Sequence, residues 1–146
     1  MEFIKRMSGD PVILAMALPD PEILPEEAIA AGAAIVATGG PGFQNAMPNT
    51  LSSPGIMRGL LDVRATVLNH NMLLAAARAL ADVVDRRRLG PGKIMPDIFC
   101  DEAAPRVAEA VGQAAIAEGF ATRAVPKGEI YNNLWQSLYG EQIMRF

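Results

Sequence analysis

Two short apolar runs separated by a helical stretch constrain this chain more than any other feature. Residues 11–18 read Pro-Val-Ile-Leu-Ala-Met-Ala-Leu and residues 33–37 read Ala-Ala-Ile-Val-Ala, with no polar residue in either. Such runs, lacking polar alternation, suit strands buried on both faces of a parallel sheet. Between them, Pro25 can take a first helical position, Glu26 and Glu27 favour the helix amino end, and Gly32 terminates it. Strand, helix and strand in that order form a β-α-β unit. The first strand runs into Pro19-Asp20-Pro21 and the second into Thr38-Gly39-Gly40-Pro41-Gly42. These are the carboxyl ends of the strands, where open α/β sheets place ligands.

The remainder reads as helices. Pro54 can open one, with Ser53 as its N-cap, running through Ile56, Leu60, Leu61 and Val63. Asn69 or Asn71 can begin the next, whose apolar positions Met72, Leu73, Ala76, Leu80, Val83 and Val84 recur near helical spacing, and Arg86, Arg87 and Arg88 suit its carboxyl end. Leu89-Gly90-Pro91-Gly92 breaks it. Residues 103–118 carry Val107, Val111 and Ile116 toward a stop at Gly119. In the tail, 129–146, Ile130, Leu134, Leu138 and Ile143 interleave with Tyr131, Trp135 and Tyr139, as in a docking helix.

The expected fold class is therefore α/β, a partial Rossmann-like fold with a short parallel sheet and several helices, and a third strand is conceivable only near Ile94. Two parallel strands make a poor independent sheet, and their open edges are an association liability. A homo-oligomer or a missing partner segment is expected to complete the sheet.

Composition narrows the function classes. The 146 residues are 51% hydrophobic and 20% charged, which suits a soluble chain with room for one core. A net charge of −3 disfavours nucleic acid as a partner. The most apolar stretch, 28–37, contains Gly32 and is shorter than the roughly 18 apolar residues of a membrane span, so no membrane partner is expected. One cysteine, Cys100, cannot form an intrachain disulfide, and with the single His70 it cannot build a Cys/His zinc cluster. With no secretory pattern in Met-Glu-Phe-Ile-Lys-Arg, a cytoplasmic location is expected.

Few residues carry chemistry by themselves. The glycine loop 38–42 lacks the spacing of a dinucleotide fingerprint, and there is no P-loop, nucleophile elbow or zinc-binding His-Glu-x-x-His. That loop could bring a ligand to the backbone, or simply be a tight turn after a strand. His70 reads as a capping or surface residue, Cys100 as an inert thiol, and the acid pairs Glu26-Glu27 and Asp101-Glu102 as helix-start charges.

A longer pattern runs through the chain: Pro21-Glu22-Ile23, Glu26-Glu27-Ala28, Ala31-Gly32-Ala33-Ala34-Ile35-Val36-Ala37-Thr38-Gly39, Pro54-Gly55-Ile56, Arg58-Gly59, and Leu61-Asp62-Val63-Arg64-Ala65-Thr66. It continues through Ile94-Met95-Pro96-Asp97 and Arg106-Val107-Ala108. In order and spacing it resembles the NAD-binding domain of malic enzymes, over residues 1–124, leaving 125–146 as a docking helix or tail. The resemblance implies the C-terminal portion of that domain, in an oxidoreductase that converts malate to pyruvate by NAD- or NADP-dependent oxidative decarboxylation. In the family, the catalytic Tyr and Lys, the metal-binding acids and the glycine fingerprint precede the segment matched here. Activity is therefore expected only with the missing catalytic half, and a divalent metal, magnesium or manganese, only if a partner supplies its ligands.

By the same resemblance, Thr38 and Gly39 border the cofactor and Asn49 contacts malate or nicotinamide. No catalytic and no metal-binding residue is expected in the segment. Two positions depart from the family pattern. Leu18, in Ala17-Leu18-Pro19, replaces the Asn of Ala-Asn-Pro, and Gly40-Pro41-Gly42 stands where Arg-Ser-Asp is usual. Two other readings stay open: a non-catalytic oligomerisation or interaction module derived from a nucleotide-binding domain, or a small-ligand sensor built on the loop 38–49.

Overall fold

The computed structural model describes residues 2–143; the expected helical positions 144–146, and the side chains of residues 141–143, among them Ile143, lie outside the described part. The elements in order are α1 (Glu2–Lys5), β1 (Val12–Ala15), α2 (Pro25–Ala30), β2 (Ile35–Thr38), α3 (Ser53–Asp62), α4 (His70–Val83), α5 (Ala103–Ala117) and α6 (Glu129–Ile143). They fall into two compact units. The first comprises Met1–Asn49 with Val84–Ile98, and the second Thr50–Val83 with Phe99–Phe146. Each has its own apolar cluster, where composition alone left room for one.

In the first unit, β1 and β2 pair in parallel, with Val12 opposite Ile35 and Ala15 opposite Thr38. The connection between them is α2, as expected, opened by Pro25 and followed by Gly32 at φ +107°, a left-handed conformation that suits glycine. Ala28, Ala31, Ala33 and Val36 pack with Ile4 of α1 and with Ile13 on one face of the sheet.

The other face corrects an expectation. β1 is not buried on both faces: Val12 is 50% and Leu14 54% exposed, while Ala15 is buried. The physical cause is that the sheet ends at β1, and α2 covers only the face carrying Ile13 and Val36. A third strand near Ile94 does not form either. The Ile94 amide donates to the Asn45 side chain, and only an isolated antiparallel bridge joins Gly90 to Lys93.

The second unit is helical. Val63, Met72, Val107, Val111 and Ile130 are wholly or almost wholly buried, each worth about 1.5–3 kcal/mol of apolar burial. α3 and α5 approach closely because Gly55 and Gly59, one turn apart, lie against the Ala104 and Ala108 carbonyls. One cap assignment and one helix end change. Ser53 is the first residue of α3, not its cap, and no Ser52 hydroxyl bond replaces it. α4 is capped by Asn69, one of its two expected starts, whose Oδ1 accepts from the Met72 amide at 3.0 Å, but it ends at Val83, before the arginines. Arg86–Arg88 form a separate 3-10 turn in the first unit, held by the Asp85 carboxylate, because that acid offers the Arg87 amide a bond at 2.9 Å.

The tail segment 125–146 contributes α6 to the second unit. Ile130 and Leu134 enter its core, and the Glu109 carboxylate of α5 accepts from the Gly128 and Tyr131 amides at 2.7 and 3.0 Å. One side chain thus satisfies two amide donors at the start of α6. Glu109→Ala should lower the denaturation midpoint by an amount equivalent to about 1–2 kcal/mol, with α6 amides exchanging faster than those of α5. Uniform exchange across both helices would refute the anchoring role. Along α6, half-buried Tyr131 stacks on Trp135 at 5.9 Å and Trp135 meets Tyr139 at 4.8 Å. Burial, with the Asp101 carboxylate beside it, pushes the Tyr139 phenol up from its ordinary value.

Candidate functional site

The carboxyl ends of β1 and β2 lie at the same end of the parallel pair and deliver two loops there. Leaving β1, the chain passes a cis Leu18–Pro19 peptide, and the Glu22 carboxylate accepts from the Ala17 amide at 3.0 Å. That amide bond holds the Glu22 carboxyl below its ordinary value. The sign follows: the loop closure is present above the usual glutamate range and fades only as pH falls through the lowered value.

Leaving β2, Thr38 is 1% exposed and fully engaged. Its hydroxyl donates to the Gly40 carbonyl at 3.2 Å, its amide donates to the Asn45 carbonyl, and its carbonyl accepts from the Met47 amide at 2.8 Å. Gly39 is required by crowding, since a β-carbon there would lie 2.6 Å from the Met16 carbonyl oxygen. Both residues thus shape the end of the sheet, and Thr38 has already spent its hydroxyl proton within the loop.

Asn49 differs. It opens the 3-10 turn Asn49–Leu51, two residues past the Met47 amide that binds Thr38, is exposed, and makes no side-chain hydrogen bond with the described residues. Of the three expected site residues it has the amide group free to donate to and accept from a ligand.

Leu18 and Gly40 turn out to be neighbours. A β-carbon at Gly40 would lie 3.2 Å from Leu18 Cδ2, and Leu18 is 64% exposed. The two departures from the family pattern are thus spatially one, an apolar side chain lying over the glycine that leaves room for it.

Sequence reasoning missed Asn45. It is buried, adopts a left-handed backbone with φ 55°, and its amide nitrogen donates to the Val36 carbonyl at 3.0 Å and the Pro91 carbonyl at 2.8 Å. Its Oδ1 accepts from the Ile94 amide at 2.8 Å. This side chain ties the second strand to the segment 84–98 and so sets the position of the loop that ends at Asn49. The only signal available was an Asn in a polar loop.

In the second unit an open cavity of about 510 Å³ is lined by Arg106, Glu109, Gln113, Lys127 and Tyr131 among others. None of the expected site residues lines it, and Glu109 is spent on the α6 backbone. No three His, Cys, Asp or Glu side chains come together as a metal site among the described residues. No helix there is long and apolar enough to cross a membrane.

A parallel β-α-β unit with a glycine loop at its carboxyl edge defines an open α/β class of fold, in which ligands lie at the carboxyl ends of the strands. Residues 1–116 match the family described as malic enzyme, NAD binding domain. This chain belongs to the malic enzyme family. It is 45% identical over 129 residues to a bifunctional malic/malolactic enzyme of Bacillus subtilis, covering 88% of this chain and 32% of that protein. It is 42% identical over 123 residues to an NAD-dependent malic enzyme of Geobacillus stearothermophilus, covering 84% and 26%. The malic enzyme structure from Pyrococcus horikoshii superimposes with a TM-score of 0.88 at 37% identity, over 98% of this chain and 33% of that one. The chain thus spans about a third or less of the relatives it matches.

Proposed function

We propose that these residues form the C-terminal portion of the NAD-binding domain of a malic enzyme, and that the carboxyl edge of β1 and β2 helps to hold NAD or NADP. The observation that supports this most is Asn49, exposed and without a side-chain hydrogen bond beside a loop in which Thr38 and Asn45 are engaged. Its amide would orient the nicotinamide carboxamide or a malate carboxylate. The bound cofactor would accept the hydride when the malate hydroxyl carbon is oxidised to a ketone. Carbon dioxide would then leave the resulting β-keto acid, and the enolate would take a proton to give pyruvate.

The described residues fit only the binding part of that task. They bring together no metal-ligand set, so no step is assigned to a divalent ion here. Base, acid and metal ligands would come from polypeptide outside these 146 residues, on the same chain or on a partner, in a cytoplasmic enzyme. Relatives named for NAD and for NADP both match, and nothing in the segment chooses between them.

Calorimetric titration of the purified chain with NAD, with and without malate and manganese, tests the reading. Saturable binding, weakened about fivefold to tenfold by Asn49→Ala through loss of one hydrogen bond, is expected. Unchanged affinity in the variant would remove Asn49 from the site. Turnover of malate by the isolated chain would overturn the need for a partner.

The aromatic series on α6 favours a second reading, an oligomerisation module. Under it, removing residues 129–146 changes the particle mass in solution.

A further inference from the structure

Three chain segments run side by side at the carboxyl edge of the sheet. Ala15 of β1 pairs with Thr38 of β2, and Thr38 forms a parallel bridge with Ala46. Leu18 and Asn49 each lie three residues beyond that row, on the two outer segments, and Gly40 lies beyond it on the middle one. Twice the strand spacing sets the outer segments roughly 10 Å apart at the backbone, a gap that one small organic acid can span. Leu18 leans toward the middle segment, since its Cδ2 lies 3.2 Å from where a β-carbon of Gly40 would stand. Gly40 beneath it is buried, while Leu18 itself is 64% exposed.

The two ends of this gap call for different chemistry. Asn49, exposed and with no side-chain hydrogen bond among the described residues, can donate to a carboxylate. Leu18 offers no hydrogen bond, so a polar group set against it would lose water without compensation, whereas an alkyl group gains by leaving water. The charges on the Leu18 loop are acidic, Asp20 and Glu22, with the Glu22 carboxylate on the Ala17 amide, and they repel a carboxylate from that end. We propose that this edge selects a malate that carries an alkyl group, with Asn49 on a carboxylate and Leu18 on the alkyl chain. The selection rests on the function proposed above and names its substrate class. The alkyl group belongs on carbon 3, because carbon 2 must keep the hydrogen that leaves as hydride to the nicotinamide cofactor. Oxidation at carbon 2 turns the hydroxyl into a ketone and releases its proton. The bond from carbon 3 to its carboxylate then breaks to give carbon dioxide, and carbon 3 takes a proton. The product is a 2-oxo acid longer than pyruvate by the alkyl group.

Methyl NMR of the 146-residue chain, titrated with malate, 3-methylmalate and 3-isopropylmalate, tests the selection. Affinity should rise about threefold from malate to 3-methylmalate and at least about tenfold to 3-isopropylmalate, with the Leu18 methyl resonances shifting most. Leu18→Asn, close in size and at an exposed position, should keep the fold and bring the three acids within about twofold of one another. Leu18→Ala should retain only part of the rise, and Asn49→Ala should weaken all three acids by a similar factor, since the carboxylate is common to them. Equal affinity for the three acids, a rise that survives Leu18→Asn, or no binding of any of them would each overturn the selection by Leu18. If calorimetry shows NAD binding that Asn49→Ala weakens while the three acids are not told apart, the proposed function stands and the selection falls. A steep series in a chain that binds no NAD would remove the cofactor role and leave the selection standing.

Discussion

Asn45→Ala should cost on the order of 4 kcal/mol of stability, summed from three lost bonds at about 1 kcal/mol or more each and about 1 kcal/mol for alanine in a left-handed backbone. The variant leaves the Val36 and Pro91 carbonyls and the Ile94 amide without their partner. Denaturant unfolding at constant slope reads the loss, and faster exchange of the Ile94 amide locates it. Asn45→Gly separates the contributions, because glycine takes φ 55° freely and so should lose about 1 kcal/mol less than alanine. Asn45→Asp keeps an acceptor for Ile94 but loses both donated bonds, and should fall near the alanine variant. A loss below 1 kcal/mol in Asn45→Ala would mean that the segment 84–98 is held by other contacts.

Gly59→Val should be as damaging, for the opposite reason. In an exposed helix interior, replacing glycine by alanine stabilises by about 1 kcal/mol. At Gly59 the sign reverses, because the added β-carbon would fall on the Ala108 carbonyl of α5. Backbone cannot swing aside as a side chain can, so overpacking costs about 1–3 kcal/mol for alanine and more for valine. Gly140→Ala is the internal control: the crowding atom there is the end of the Gln136 side chain, which can move, so a small gain is expected. Thermal unfolding of the three variants checks the order. Equal behaviour of the Gly59 and Gly140 variants would show that α3 and α5 are not held at glycine contact distance.

The Gly59 result also gives a reason for part of the family pattern. Arg58-Gly59 and Arg106-Val107-Ala108 stand 48 residues apart, and the structure brings Gly59 against Ala108. Gly39 is similar, retained beside Thr38 because the Met16 carbonyl leaves no room for a side chain. These are packing requirements of the site's frame. Asn49, exposed and unspent, is the residue on which ligand chemistry can be tested.

Much of the first unit was legible in order. The run at 33–37, the Pro25 start and the Gly32 stop are local signals, and each produced its element within a few residues of the expected place. The helices α4, α5 and α6 followed from apolar spacing, since a helix face is written by neighbours three and four apart. That both strands end at the same edge followed from the parallel pairing.

Burial and hydrogen-bond bookkeeping were not legible. The apolar run at 11–18 reads as a strand covered on both sides, yet Val12 and Leu14 stand open, because covering requires groups that only tertiary or quaternary structure can bring. The Ile94 segment has strand-like residues, but its amide is claimed by Asn45, 49 positions away. Leu18 and Gly40 looked like two separate departures until their contact made them one.

By itself the sequence determined the order of the elements from β1 onward, the parallel β-α-β unit and the family, because periodicity, helix punctuation and motif order are properties of nearby residues. Only the tertiary structure decided that Thr38 and Asn45 are spent on the fold, that Asn49 is not, and that Val12 and Leu14 stand open. Those facts depend on which distant groups converge to satisfy or exclude one another, and no local pattern encodes that convergence.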